Sequence, residues 1–153
     1  MRYLIFSILL IFQLSATEYY ISAASTAGSP DGLTKATAWP TIQAAWTALD
    51  GVIQPVDIVN IYAGDYDIAS PLNMPGSGNS TFRILFRAME PGVKIFRSTD
   101  DLEPIFNLTL FWEFRGITIV KSNPLPYSTS SDNGIWDEID DSIVFGCTIS
   151  NRT

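Results

Sequence analysis

Arg115-Gly116-Ile117-Thr118-Ile119 recurs 30 residues later as Phe145-Gly146-Cys147-Thr148-Ile149, and this repeat decides the predicted fold. When a short β-run returns at a fixed interval, like residues can stack on like in successive turns of a solenoid, and neighbouring turns bury a continuous core. On this hypothesis Ile117 and Ile119 face inward, Thr118 faces outward and Cys147 stacks near Ile117. The repeat therefore predicts an all-β chain folded as a parallel β-helix, or β-solenoid.

Short β-runs separated by turns make up the rest of the second half of the chain. Besides the repeat, they are Ile58–Ala63, Phe82–Arg87 and Val93–Phe96, and the repeat itself lies in Phe111–Val120 and Ser142–Ser150. A β-sandwich is the alternative, and it is less favoured because tight two-residue turns do not link adjacent alternating runs.

The N-terminus has the pattern of a secretory signal peptide. Arg2 supplies a positive charge, Leu4–Phe12 is unbroken apolar sequence, and the small residues Ser15 and Ala16 follow. The apolar run is shorter than the about 20 residues that span a bilayer, so an uncleaved membrane anchor is the less favoured alternative. We expect cleavage after Ala16, with residues 1–16 as the signal peptide and 17–153 as one domain of a secreted or cell-surface protein that does not span the membrane.

A short amphipathic helix is predicted over Thr41–Leu49. A turn signal, Ser29-Pro30-Asp31-Gly32, precedes it, and Pro40 suits a first helical turn. Apolar residues then recur at helical spacing, at Ile42, Ala45, Trp46 and Leu49.

Together these segments resemble a known family. Four segments are similar to the N-terminal cap and first coils of secreted right-handed parallel β-helix proteins of the pectin-lyase-like superfamily. They are Tyr19–Ser22, Asp31-Gly32, Ala36–Ala45 and Val56–Tyr66. The resemblance implies that the helix caps the open end of the solenoid, that Val59, Ile61 and Ala63 face inward, and that Gly64 permits a tight turn. Because three or four coils fit before Thr153, we expect a fold that is incomplete at its C-terminus.

Composition restricts the partners. Nine basic and 16 acidic side chains give a formal net charge of −7, which disfavours nucleic acid, whose phosphates require basic patches. Polysaccharides or cell-surface glycans remain as partners. With one cysteine and no histidine, the chain has no internal disulfide, no usual zinc site and no Ser/His/Asp triad.

Candidate ligand-binding residues lie in an acidic segment. Trp136, Asp137 and Asp140 would place an aromatic ring beside carboxylates, a combination that suits sugar binding. No cofactor and no metal site are predicted; calcium is the one ion that this segment could gather, with Asp132, Glu138 and Asp141.

The catalytic residues are unknown. Lyases of the superfamily use an arginine or lysine base, and the basic residues near the repeated strands are Arg87, Arg97, Arg115 and Lys121. Three Asn-x-Ser/Thr motifs, at Asn79, Asn107 and Asn151, are candidate glycosylation sites of a secreted glycoprotein.

Two functions follow from these observations. The favoured one is a secreted or surface β-helix protein with a structural, adhesive or glycan-binding role. The alternative is the N-terminal portion of a polysaccharide-degrading enzyme, a lyase or glycoside hydrolase, and the sequence leaves open whether the protein is an enzyme.

Overall fold

The computed structural model describes residues 15–76, 78–79, 81–98, 105–108, 111–121, 135–137, 143–146 and 148–151. In these residues the elements are, in chain order, β1 (Glu18–Ile21), α1 (Ile42–Leu49), β2 (Ile58–Ile61), β3 (Gly64–Asp67), β4 (Leu72–Asn73), β5 (Ile84–Ala88), β6 (Val93–Phe96), β7 (Phe106–Leu108), β8 (Trp112–Arg115), β9 (Thr118–Lys121), β10 (Ile135–Asp137), β11 (Ile143–Phe145) and β12 (Thr148–Asn151).

The strands form three sheets, and every pairing among them is parallel. Their orders are β1-β2-β5-β8-β11, β10-β7-β4 and β12-β9-β6-β3. The 30-residue repeat is visible in the register, because Phe145 pairs with Arg115 and Thr148 pairs with Thr118.

The chain changes direction at two equivalent glycines of the repeat. Gly116 and Gly146 have φ angles of 68° and 62°, in the left-handed region that glycine adopts without steric cost. Each glycine separates a strand of the five-stranded sheet from a strand of the four-stranded sheet. The repeat therefore marks a corner between two sheets.

One apolar core joins all three sheets to the helix. Alternate residues of the strands are fully buried, among them Ile61, Phe86 and Phe114. Leu72 and Phe106 enter the same cluster from the three-stranded sheet. The core is thus shared, and the outer faces of the sheets are left for polar residues.

The helix α1 packs on this core through the predicted apolar stripe. Thr41 is its N-cap and accepts a hydrogen bond of 3.1 Å from the amide of Ala44. Ile42, Ala45, Trp46 and Leu49 are buried. Trp46 lies with its ring centroid 5.2 Å from that of Phe86 in an edge-to-face arrangement.

These elements correct the predicted fold class. The sequence predicts an all-β right-handed parallel β-helix, or β-solenoid, with a short N-terminal capping helix and incomplete at its C-terminus. The described residues form separate small parallel sheets of five, three and four strands, with an α-helix that contributes to the same core. One physical reason is the corner at Gly116, which divides the predicted run Phe111–Val120 into β8 and β9.

The inward positions agree with the sequence at some residues and not at others. Val59, Ile61, Ile117 and Ile119 are buried, but Ala63 is exposed because β2 ends at Ile61. Cys147 and the apolar run of the signal peptide lie outside the described residues. Within the described residues, no helix has the length and apolar character needed to cross a bilayer.

Candidate functional site

The outer face of the five-stranded sheet carries two adjoining columns of mostly polar residues. Because side chains alternate along a strand, the neighbours of buried residues point away from the core. The first column is Tyr20, Asn60, Arg87 and Arg115, and the second is Glu18, Ile58, Leu85 and Glu113. We call these two columns, with Lys35, Tyr62, Phe82 and Arg83 beside them, the outer face.

A connected hydrogen-bond network organises one part of the outer face. Asn60 is completely buried although it lies in the outer column. Its Nδ2 donates to Glu18 Oε2 at 3.0 Å, and its Oδ1 accepts from Arg87 Nε at 2.8 Å. Asn60 therefore fixes a carboxylate on one side and a guanidinium on the other, and no polar atom of its amide is left buried without a partner.

The phenol of Tyr20 extends this network. Its Oη donates to Glu18 Oε2 at 2.9 Å. This hydrogen bond is the largest cause that raises the pKa of Tyr20, because loss of the phenol proton would place a second negative charge beside the carboxylate. The phenol is therefore held as a donor to Glu18.

Two tyrosine rings cover the same part of the outer face. The rings of Tyr20 and Tyr62 are stacked, with centroids 6.4 Å apart and an angle of 21° between their planes. Lys35 Nζ lies 4.1 Å from the centroid of the Tyr62 ring. Both tyrosines are half-buried, so each presents part of its surface to solvent.

A groove of about 370 Å³ lies along the second column. Its lining residues are Val56, Ile58, Thr81, Phe82, Arg83, Leu85 and Glu113. Phe82 is 42% exposed. The guanidinium carbon of Arg83 lies 5.7 Å from the ring centroid of Phe111. The groove thus combines an exposed aromatic ring, a hydroxyl, a carboxylate and a guanidinium.

Each glutamate of the outer face is paired with an arginine. Glu113 Oε1 accepts from Arg115 Nε at 2.6 Å and lies 2.5 Å from Arg115 Nη2. Glu18 Oε1 lies 3.9 Å from Arg87 Nη2. Both glutamates of the outer face therefore have an arginine beside them, and the face also carries Lys35 and Arg83.

This spacing of carboxylates suits binding better than hydrolysis. Three strand spacings separate Glu18 from Glu113 in the register, or about 14 Å at the usual spacing. Paired carboxylates of glycosidases lie about 5 to 9.5 Å apart. These two glutamates are therefore too far apart to act together as acid and base.

The structure places the predicted ligand-binding residues only in part. Trp136 and Asp137 lie in β10, whose register pairs them with Asn107 and Leu108. Asp140 and the rest of the acidic segment lie outside the described residues. No group of three or more potential metal ligands occurs in the part of the chain that is described.

The basic residues that were considered as lyase bases lie in two different parts of the fold. Arg87 and Arg115 belong to the outer face, each beside a glutamate. Arg97 is buried, at 4% exposure, and Lys121 ends β9. Arg87 and Arg115 are thus neighbours in the register of β5 and β8, whereas Arg97 and Lys121 belong to other segments.

The three candidate glycosylation sites differ in position. Asn79 is exposed in a tight turn, where its Oδ1 accepts from the amides of Thr81 and Phe82 at 3.0 and 2.8 Å. Asn107 lies within β7, and Asn151 is the last residue of β12. Asn79 is the one that adjoins the groove, since Thr81 and Phe82 line it.

Most of the outer face was not predicted from the sequence. Two sequence features could have indicated its outward positions. One is the alternation of polar and apolar character in Glu18-Tyr19-Tyr20-Ile21, and the other is the single polar residue in Ile58-Val59-Asn60-Ile61. What the sequence does not give is the pairing of β1 with β2 across the intervening helix, which brings Glu18 and Asn60 together.

Comparison with known proteins adds no family to this description. No protein-family model matches the chain, and no curated protein matches it.

Proposed function

We propose that this is a secreted or cell-surface protein that binds glycans through the outer face, in an adhesive or structural role. The observation that carries the proposal is the presence, on one side of one sheet, of partly exposed aromatic rings beside hydrogen-bonded carboxylates and guanidinium groups. Tyr20, Tyr62 and Phe82 supply the rings.

The physical basis is the two-sided chemistry of a sugar. The C–H face of a pyranose ring packs on an aromatic ring, and its hydroxyls donate hydrogen bonds to carboxylates and accept them from guanidinium groups. On the outer face the donors and acceptors are already held in place, because Asn60 fixes both Glu18 and Arg87. Side chains that are ordered before binding lose less entropy when the ligand arrives.

The pairing of each glutamate with an arginine favours uncharged sugar residues at these two positions. Each glutamate of the outer face has an arginine beside it, so a ligand carboxylate would have to compete with a carboxylate already present. The overall charge of −7 also disfavours anionic ligands. We expect neutral hexose-containing glycans to bind better than polyuronates of the same length.

The secreted location and the similarity to the pectin-lyase-like superfamily stay predictions. Both are consistent with a glycan ligand, since extracellular surfaces are rich in glycans. Asn79 would carry its own glycan at the rim of the groove, so the binding site is best tested in protein made without glycosylation.

Titration calorimetry with neutral and uronate oligosaccharides tests the proposal. Tyr62→Ala and Phe82→Ala should each weaken binding of the neutral oligosaccharide by about tenfold, as expected for loss of about 1 to 2 kcal/mol of ring contact. Val52→Ala is the matched control, because Val52 is 52% exposed and does not belong to the outer face. Equal losses in all three variants, or no binding of either oligosaccharide, would contradict the proposal.

A further inference from the structure

Thr17 is held at both of its backbone polar atoms. Its amide nitrogen donates to Asp57 Oδ1 at 2.8 Å, and its carbonyl oxygen accepts from the amide of Ile58 at 2.9 Å. Ser15, Ala16 and Thr17 are exposed, and regular structure begins with β1 at Glu18. Thr17 is therefore the point at which the chain joins the sheet.

Asp57 is built to receive a donor at this point. Its carboxylate is buried, with the residue at 2% exposure. Oδ2 accepts from the amide of Gln54 at 2.8 Å, which leaves Oδ1 directed at Thr17. A buried carboxylate with amide donors alone lacks a counter-charge, and buried charges in proteins are usually paired.

The turn that presents Asp57 is strained. The amide of Asp57 donates to the carbonyl oxygen of Gln54 at 3.1 Å, which closes a turn through Pro55 and Val56. Val56 has a φ angle of 75°, in the left-handed region that β-branched residues rarely occupy. Such strain persists where the surrounding structure demands it, and here it holds the carboxylate against Thr17.

We infer that the chain is cleaved between Ala16 and Thr17 and that the new α-ammonium group of Thr17 forms an ion pair with Asp57. In this hydrolysis the C–N bond breaks, water gives its hydroxyl to the Ala16 carbonyl carbon and a proton to the Thr17 nitrogen. The Ala16 carboxyl then loses a proton and the amine gains one. A signal peptidase is the class of enzyme required.

The same 2.8 Å contact then changes from an amide donor to a charged donor. Hydrogen bonds between two charged groups are stronger than those between a neutral and a charged group. Removal of the signal peptide would thus give Asp57 the counter-charge that it lacks in the precursor, namely the α-ammonium group of Thr17. The mature protein would therefore be more stable than the precursor. The pKa of the Tyr19 phenol is raised first by burial and then by the charge of Asp57, whereas Glu18 directs its carboxylate to Tyr20 and Asn60.

The first test identifies the N-terminus of the protein secreted from the full-length precursor. Periodate cleaves the 1,2-amino alcohol of an N-terminal threonine or serine, so a mass loss on treatment, with sequencing of the terminal peptide, is expected to show Thr17. An N-terminus at any other residue overturns the inference.

The second test separates the charge from the hydrogen bond. Two proteins are secreted behind a heterologous signal peptide, one beginning at Thr17 and one that keeps Ser15-Ala16, and each is made with Asp57 and with Asp57→Asn. With Asp57, the protein beginning at Thr17 should have an unfolding equilibrium constant about tenfold smaller than that of the extended protein. With Asp57→Asn this difference should vanish.

An equal difference in the two backgrounds, or none in either, overturns the ion pair. Should Asp57→Asn fail to fold, the pKa of the α-amino group is measured by NMR in the Asp57 protein. An ion pair requires a pKa above the ordinary value of about 8, and a pKa at or below it contradicts the inference.

Discussion

Phe82 and Phe86 lie four residues apart and should respond in opposite ways to the same substitution. Phe86 is completely buried, with its ring 5.6 Å from that of Phe114 and 6.2 Å from that of Phe106, measured between centroids. Phe82 is 42% exposed and lines the groove of the outer face. We expect Phe86→Ala to destabilise the protein and Phe82→Ala to weaken glycan binding.

The expected magnitudes follow from burial. A phenylalanine removed from a packed core costs about 3 to 5 kcal/mol, which includes the cavity that remains. Phe86 belongs at the upper end because it also loses edge-to-face contacts with Trp46 and Phe114, each worth about 0.5 to 1.5 kcal/mol. A substitution at an exposed residue such as Phe82 changes the free energy of unfolding by about 0.5 kcal/mol or less.

Urea denaturation followed by tryptophan fluorescence measures the difference. With a slope of about 2 kcal/mol per molar urea, Phe86→Ala should lower the midpoint by about 2 M, and Phe82→Ala should leave it within about 0.3 M of the parent. Whole domains have only about 5 to 15 kcal/mol of stability, so the alanine variant could fail to fold. In that case Phe86→Leu replaces it in the same urea denaturation. Equal midpoint shifts for the two positions would refute the assignment of inward and outward residues in β5 and the segment before it.

Three further predictions concern the loops that frame the outer face. Gly32→Ala should destabilise the protein by about 2 kcal/mol or more, because a Cβ atom would lie 2.2 Å from a ring carbon of Trp39 at a φ angle of 69°; Gly28→Ala, where the added atom meets nothing within 4 Å, should leave the thermal midpoint unchanged. Val56→Gly should stabilise by up to about 1 kcal/mol in thermal denaturation, since relief of a φ angle of 75° exceeds the entropy that glycine loses, and a loss of stability there would count against strain. The pKa of Asp31 is lowered by hydrogen bonds from a threonine hydroxyl and a backbone N–H. The contribution of the Asp31 carboxylate to folding stability is therefore complete above the pKa of the unfolded carboxyl and is lost as pH falls through the lower, folded pKa. Asp31→Asn should flatten the loss of stability below about pH 4, and an unchanged acid profile would contradict this prediction.

The sequence predicted local elements better than it predicted their assembly. The helix begins at Ile42, one residue after the predicted start, because its apolar spacing and the cap at Thr41 are local signals. The repeat at Gly116 and Gly146 was visible because both copies need the same left-handed residue. The division into three sheets was missed because a run such as Phe111–Val120 looks continuous when only its composition is considered.

The candidate site was missed for a different reason. Its members come from β1, β2, β5 and β8, so that each strand contributes only one or two polar residues. Such residues look like ordinary solvent-facing positions until the register is known. The aromatic and acidic residues that were singled out, Trp136, Asp137 and Asp140, were chosen because they are close in sequence, and closeness in sequence is a poor guide in a sheet whose partners lie about thirty residues apart.

Parallel register also explains how so few residues can build an extended polar surface on this chain. Each strand of the five-stranded sheet sets its residues beside those of the next strand in the same order, so a polar residue at one outward position faces the corresponding position of its neighbours. Asn60 shows the consequence, because a single amide in β2, which lies between β1 and β5, orders Glu18 on one side and Arg87 on the other. Substitutions on the buried face of the same strands would disrupt its packed aromatic rings, whereas the outer face tolerates substitutions. Binding properties can therefore vary at Tyr20, Tyr62 and Phe82 without loss of the core.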